Sequence, residues 1–388
     1  MNSLASSAPN KTEKHDAAFM RAALALASRG LGRVAPNPAV GCVLVKEERV
    51  VGRGWTQPGG RPHAETEALR RAGDAARGAC AYVTLEPCSH HGQTPPCAEA
   101  LITAGIRRCV VALEDPDARV QGRGIAQLRA AGIEVTCGVG AQAARRINEG
   151  FLRRVTEGRP LITLKIASTL DGRIATRSGQ SQWITGPQAR ARGHLLRATH
   201  DAVLVGSGTA LADNPRLDVR LPGLEGHSPL RVVLDGQLRL PLEHDLVARA
   251  KEQPTLIFTR PGDGKARRQG YLNAGVEVLE APVDAQGGVS LSAVLQTLGA
   301  RGVTRLLVEG GGAVAGSLFR AGLVDRIAWF RAGGVIGGDG VPAVSGFGLD
   351  LLEEMPKFEL LSSIALARDR LEVFHRHEPD RPTQTGKS

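Results

Sequence analysis

Apolar positions along this chain come in short runs, punctuated by Gly, Pro and charged residues, with longer Ala/Leu-rich stretches between them. Residues 16–29 read as a helix: Asp16 can cap it, the Ala/Leu run suits it, and Gly30 and Gly32 stop it. Residues 35–38 (Ala-Pro-Asn-Pro) must be a loop, because two prolines bracket the asparagine. Residues 40–45 and 50–54 predict paired strands around a charged turn. A helix opens at His63 and stops at Gly73. A buried strand over 80–85, a helix opening at Pro95-Pro96-Cys97, a strand over 109–112, a helix over 125–131 and a strand over 133–136 follow. A helix over 141–148 and the polar stretch 153–159 mark a domain boundary. The pattern then restarts with a strand over 161–167, a turn at Asp171-Gly172 and a helix over 187–198. Strands follow at 202–205, 231–234, 255–259 and 276–279, then a helix over 292–300. A strand over 305–308 runs into Glu309-Gly310-Gly311-Gly312 and a helix to 321; strands at 327–330 and 371–375 close the pattern. Strands alternating with helices in both halves predict two α/β layered domains, at 13–157 and 158–377, between disordered tails at 1–12 and 378–388.

Composition narrows this picture. A chain of 388 residues, 42% hydrophobic and 23% charged, is long enough for two domains and too apolar to be mainly disordered. No apolar run reaches the length of a membrane span, and residues 1–14 lack a hydrophobic signal core, so a cytoplasmic protein is expected. Six cysteines in so long a chain do not make a disulfide framework. Cys42, Cys80, Cys109 and Cys137 lie in or beside apolar runs and are expected as buried free thiols. The net charge of +10 is spread over both halves, with only 3% aromatics to stack on bases. That argues against nucleic acid as the partner and suits small anions.

The chemistry concentrates between residues 63 and 97. His63-Ala64-Glu65 is followed by Pro87-Cys88 and by Pro95-Pro96-Cys97. His63, Cys88 and Cys97 are zinc-type ligands, and three protein ligands leave a fourth position for water. Zinc lowers the pKa of that water, and Glu65 can take its proton and return it to a leaving amine. A helix N-terminus favours Cys97 as thiolate. A closed structural site is the alternative; it would need a fourth ligand, which His90 or His91 could supply. H-x-E followed by P-C-x-x-C is the signature of zinc nucleobase deaminases, but here eight residues, not two, separate the cysteines. In the second half, the glycines after Glu309 allow backbone N–H groups to approach a phosphate at a helix start.

The run from Glu86 to Cys97 (EPCSHHGQTPPC), with His63-Ala64-Glu65, resembles the deaminase domain of the bifunctional riboflavin biosynthesis deaminase/reductase family. The long insertion is the discriminating part. Asn37-Pro38-Ala39-Val40-Gly41 and Glu114-Asp115-Pro116 with Gly122-Arg123-Gly124 resemble the same family. Residues 165–173 (KIASTLDGR), 181–185 (SQWIT), 213–217 (DNPRL) and 308–311 (VEGG) resemble its reductase domain. The resemblance implies a cytidine-deaminase-like domain followed by a dihydrofolate-reductase-like domain. It implies Zn2+ on His63, Cys88 and Cys97, with Glu65 as proton shuttle and Asn37 and the His90/His91 loop touching substrate. It implies NADPH against Ala167, Trp183, Thr209, Asp213, Gly236 and the segment Gly311, Gly312, Ala313, Val314, Ala315, Gly316 and Ser317. Ser181, Arg197, Leu217, Arg220 and Glu309 would meet the ribose phosphate, and Lys165 the sugar. Small phosphorylated pyrimidines are the implied partners, without nucleic acid or membrane, and a homo-oligomer the implied assembly. Two departures stand out: Gly236 replaces the usual Ser or Thr, and residues 332–337 (AGGVIG) lack the usual proline. The competing readings are a nucleic-acid-editing deaminase with a C-terminal binding module, and a deaminase fused to an inactive assembly half.

Overall fold

The structure, a computed structural model, describes residues 11–91, 95–117 and 120–377. The chain divides into two compact units between Gly158 and Arg159. The first contains α1 (Lys11–Ala27), β1 (Gly41–Lys46), β2 (Arg49–Trp55), α2 (Ala64–Ala72), β3 (Cys80–Val83), α3 (Cys97–Thr103), β4 (Arg108–Val111), α4 (Arg123–Ala130), β5 (Glu134–Cys137) and α5 (Ala141–Glu157). Its sheet runs β2-β1-β3-β4-β5. β1 is antiparallel to β2 and β3, whereas β3, β4 and β5 are parallel.

The short apolar strands are buried on both faces, which is why they read as runs rather than as alternation. Cys42, Leu44, Ala81 and Val83 pack with Ala64, Ala68, Leu101 and Leu128 on one face. Val43, Val45, Tyr82 and Val110 pack with Met20, Ala23, Leu24 and Ala144 on the other. β2 has no side chain at two positions under α2. A Cβ on Gly54 would stand 2.2 Å from the Ala64 carbonyl oxygen, and one on Gly52 2.3 Å from that of Ala68. Gly54→Ala must therefore push α2 off the sheet; we expect it to lower the stability of the first unit by about 1–3 kcal/mol in thermal unfolding.

The second unit contains β6 (Leu161–Ser168), β7 (Arg173–Ala175), α6 (Pro187–Ala198), β8 (Ala202–Gly206), α7 (Ser207–Asp213), β9 (Leu230–Leu234), α8 (Asp245–Ala248), β10 (Thr255–Thr259), α9 (Lys265–Ala274) and β11 (Glu277–Glu280). It continues with α10 (Leu291–Ala300), β12 (Arg305–Val308), α11 (Gly312–Arg320), β13 (Arg326–Arg331), β14 (Val341–Pro342), β15 (Phe358–Leu366) and β16 (Asp369–Arg376). The nine-stranded sheet runs β11-β10-β9-β8-β12-β6-β13-β16-β15. All neighbours are parallel except β16, antiparallel to both β13 and β15. Ile162, Leu204, Val232 and Phe258 pack with Leu295, Leu298 and Leu318 on one face. Val203, Val205, Val233 and Ile257 pack with Leu246 and Tyr271 on the other.

Several expectations need correction. Asp16 caps nothing: α1 is already helical at Lys11, and Asp16 is buried, taking hydrogen bonds from Tyr82 Oη and Arg108 Nη1 at 2.8 Å each. Residues 11 and 12, expected in a tail, are helical; residues 1–10 and 378–388 lie outside the described ones. α5 runs on through the polar stretch to Glu157, because Arg153 pairs with Glu149 and Glu157 one turn away on either side. Cys42, Cys80 and Cys109 are buried, but Cys137 is exposed at the end of the edge strand β5. β7, α7, α8, α9, β14 and β15 were not anticipated. Among the described residues no helix is long and apolar enough to cross a membrane.

Candidate active sites

In the first unit, two helix starts meet the exit of a strand. His63 is the N-cap of α2, Cys97 is the first residue of α3 behind Pro96, and Cys88 lies five residues beyond β3. His63 Nδ1 stands 3.3 Å from Cys97 Sγ and 3.6 Å from Cys88 Sγ. A tetrahedral zinc with its usual bond lengths would hold nitrogen and sulfur about 3.5 Å apart, so this donor set fits the ion. Among the described residues it is the one such cluster, with all donor atoms within 4.8 Å. His90 and His91 do not join it: His91 sits 3.4 Å from Glu99, and His90 lines the neighbouring cavity. The thiols are unequal. The hydrogen bond from Cys97 lowers Cys88 to about 4, against the effect of burial, while the same bond and burial raise Cys97. The Cys97 N–H also donates to Cys88 Sγ at 3.3 Å, as a helix start should.

Glu65, 3% exposed, occupies the first turn of α2 and is no member of the donor cluster. Burial raises its carboxyl to about 7, although the neighbouring His63 pulls the other way. That value suits a group that accepts and returns a proton near neutral pH. Glu65, His63, Cys88, Asn37 and His90 line a cavity of about 360 Å³, the size of a small-molecule site.

In the second unit, a cavity of about 360 Å³ opens at the carboxyl ends of the parallel strands β6, β12 and β8, where open α/β sheets bind ligands. It brings together Lys165, Ala167, Ser181, Thr209, Asp213 and Glu309, along with Gly311, Gly312, Ala313 and Val314. Burial tends to raise Glu309, but Arg197 and then Lys165 outweigh it and hold the carboxyl at about 2. Arg197 Nε and Nη2 meet the two Glu309 oxygens at 2.5 and 2.9 Å, and Lys165 Nζ lies 3.6 Å away. Arg197 therefore stands behind Glu309. Gly236 and Ser317 line an adjoining cavity of about 350 Å³, which shares Ala313 and Val314 with the first.

Other candidates lie elsewhere. Trp183 is exposed under the guanidinium of Arg190 and lines neither cavity. Leu217 is buried, and Arg220 is exposed 3.4 Å from Asp218. Ala315 and Gly316 are buried on the inner side of α11; a Cβ on Gly316 would stand 2.7 Å from the Ser345 carbonyl oxygen. The glycine-rich departure at 332–337 is pinned by Asp171, which accepts N–H bonds from Ile336 at 3.3 Å and Gly337 at 2.8 Å.

Comparison with known proteins gives these cavities a context. Residues 13–113 match the cytidine and deoxycytidylate deaminase zinc-binding region, and residues 160–371 match the RibD C-terminal domain. The chain is 42% identical over 355 residues to the riboflavin biosynthesis protein RibD of Escherichia coli, spanning 89% of this chain and 95% of that protein. The chain belongs to the RibD family. RibD of Aquifex aeolicus is 41% identical over 93% of this chain and 99% of its own. A solved structure of Acinetobacter baumannii RibD superposes with a TM-score of 0.84 at 37% identity, covering 94% of this chain and 100% of that one. A Thermotoga maritima structure, titled a diaminohydroxyphosphoribosylaminopyrimidine deaminase/5-amino-6-(5-phosphoribosylamino)uracil reductase, does so with 0.84 at 35% identity over 94% and 100%. As a RibD-family chain, this is a two-activity enzyme of riboflavin biosynthesis, with a zinc-binding deaminase unit and a reductase unit that implies a nicotinamide cofactor. The nucleic-acid-editing alternative falls.

Some residues lining these RibD-family cavities were not anticipated. Phe151 and Arg154 of α5, together with Arg61, Asp115 and Asp117, line the first cavity. Phe151 and Arg154 are three apart on one helix face, a period that would have shown had the helix been extended past residue 148. Arg239 and Arg260 line the cavity at Gly236; nothing in sequence ties them to it.

Proposed function

We propose that the first unit hydrolyses the 2-amino group of 2,5-diamino-6-ribosylamino-4(3H)-pyrimidinone 5′-phosphate. The second unit, in this reading, uses NADPH to reduce the ribosyl group of 5-amino-6-(5-phosphoribosylamino)uracil to ribityl. The observation that carries this is the His63–Cys88–Cys97 donor triangle opening, with the buried Glu65, into a cavity sized for a small molecule. His63, Cys88 and Cys97 would hold zinc, which when bound makes a water molecule acidic enough to act as a nucleophile near neutral pH. Glu65 takes the proton from water and delivers it to the departing amine as ammonia. Asn37 and His90 orient the pyrimidine; His90 Nδ1 is buried without a partner among the described residues and is available to it.

In the second unit the cavity at Thr209, Asp213 and residues 311–314 would hold NADPH, which when bound would supply the hydride for C1′ of the opened ribose. Glu309, ionised by Arg197, accepts hydrogen bonds from sugar hydroxyls, and Lys165 donates one. An ionised Glu309 repels a phosphate, so the exposed Arg220 is the better phosphate partner. NADPH rather than NADH is favoured by the cavity at Gly236. A Cβ there would stand 3.3 Å from Arg260 Cγ, so the glycine leaves room for the Arg260 stem. Arg260 is oriented by Asp263, with Nε bonded at 2.7 Å, and Arg239 donates to Ser207 Oγ at 3.0 Å. Each guanidinium has five N–H donors, enough to keep some for a 2′-phosphate. Asp284 in the same cavity takes the N–H groups of Gln286 and Gly288. Replacing both arginines by alanine should weaken NADPH binding by about 10-fold or more while leaving NADH within about 2-fold, read by nicotinamide fluorescence.

The deciding experiment incubates the pyrimidine phosphate with the zinc-loaded protein, with and without NADPH, and identifies products by mass. Deaminated uracil product without NADPH and ribitylamino product with it are expected. An unchanged substrate in both arms overturns the reading.

A further inference from the structure

Glu86 sits two residues before Cys88 and is 4% exposed. Its carboxylate is taken up entirely with main-chain N–H groups of one loop and the helix that follows. Oε2 accepts from Asp115 at 3.2 Å and Gly122 at 3.0 Å; Oε1 accepts from Gly124 at 2.9 Å and Ile125 at 3.2 Å. Asp115 and Gly122 are the two ends of the loop, so one oxygen closes it. The other oxygen meets the first turn of α4, where a negative charge is favoured. A buried carboxylate without such donors would be costly.

Glu86, Pro87 and Cys88 together also set the geometry on the metal side. Glu86 N–H donates to the Leu113 carbonyl at 2.9 Å, and the Cys88 carbonyl accepts from Ala98 in α3 at 3.1 Å. α4 lies against this segment so closely that a Cβ on Gly124 would stand 2.0 Å from the Pro87 carbonyl oxygen. The sequence features Glu114-Asp115-Pro116 and Gly122-Arg123-Gly124, otherwise unexplained, are the two ends of the loop that Glu86 holds. Between those ends Asp115, Asp117 and Val120 form a wall of the cavity that also contains Glu65 and Cys88. Asp115 Oδ1 in turn accepts the Asp117 N–H at 2.9 Å.

We propose that Glu86 is a positioning residue for deamination: without touching substrate, its carboxylate fixes the wall residues Asp115, Asp117 and Val120 relative to the Cys88 segment. This rests on the reading of that cavity as the deaminase site. Misplacing a substrate-facing wall by a fraction of an ångström weakens productive binding more than the chemical step.

The test uses the full-length, zinc-loaded protein. In Glu86→Gln one oxygen becomes an NH2 group facing N–H donors, so half of the cradle is lost while size is kept. We expect KM for the pyrimidine phosphate to rise about 10-fold or more, with kcat changed less than about 3-fold. Zinc content, the pH profile of kcat and reduction of preformed deaminated substrate should be unchanged, and Glu86→Asp should recover part of the loss. Amide exchange at Asp115, Gly122 and Gly124 should accelerate in Glu86→Gln. Wild-type KM and exchange in Glu86→Gln overturn the proposal. So does loss of zinc and of kcat together in both variants, which would make Glu86 merely structural. A wild-type chain that deaminates nothing overturns the functional reading itself, and the proposal's chemistry with it.

Discussion

Glu65→Gln is expected to stop deamination while leaving zinc bound and reduction intact. Glutamine keeps the shape of the side chain in a site that is 3% exposed, so packing around α2 is preserved. Zinc should stay because its candidate ligands are His63, Cys88 and Cys97, none of which is altered. What disappears is the only feature the amide cannot copy, the capacity to hold a proton and give it back. A positioned general acid–base contributes about 10²–10⁴-fold, and here the same group would serve twice, so a loss at or above the upper end is expected. Ammonia release reports the first activity, metal analysis the site, and NADPH oxidation with deaminated substrate the second. Deamination within 10-fold of wild type would show that another group moves the proton. Loss of zinc would show that Glu65 is part of the metal site.

The zinc chemistry was legible because its parts are local. His63, Glu65, Cys88 and Cys97 lie within 35 positions, three of them at the starts of α2 and α3 and Cys88 directly behind Pro87, beyond the end of β3. The fold class was legible for a similar reason: runs such as Gly41–Lys46 and Arg305–Val308 are buried on both faces and stand out as apolar. What sequence could not show were partners brought in from far along the chain. Asp16 looked like a cap because it precedes an apolar run, yet Arg108, 92 residues away, claims it. β15 escaped because its exposed apolar and polar positions mix without alternation. α7 is only seven residues long with a glycine inside, too short to show a period. Arg260 reaches Gly236 from the neighbouring strand, and Glu86 holds a loop up to 39 residues later. In the second unit the family motifs marked residues lining the cavity, such as Asp213 and Glu309, together with others such as Leu217 that are packed away from it. A motif is kept for folding as well as for contact, and spacing alone does not separate the two.

Arg197→Met should be the most destabilising single change in the second unit. Arg197 and Glu309 are 15% and 8% exposed at the side chain, and the pair is bidentate. Removing the guanidinium leaves a buried carboxylate with only Lys165, 3.6 Å away, among the described residues. Breaking such a pair from one side costs about 3–5 kcal/mol, whereas removing both partners is much milder. Arg197→Met should therefore lower the calorimetric transition of this unit by about 6–20 °C, and adding Glu309→Gln should restore much of it. The acid limb follows from the same pair. Glu309 is held at about 2 against an ordinary value of 4.5. A depressed folded-state pKa means that the stabilisation is fully present above pH 4.5 and fades as pH falls through 2. It is worth on the order of 3 kcal/mol. Wild-type stability should thus drop between those two pH values, and Glu309→Gln should show a flatter limb over the same interval. If Arg197→Met were as stable as wild type, and the Glu309→Gln limb as steep, the pair would be neither buried nor coupled in solution, and Glu309 would not be the ionised, sugar-facing carboxylate proposed for the reductase site.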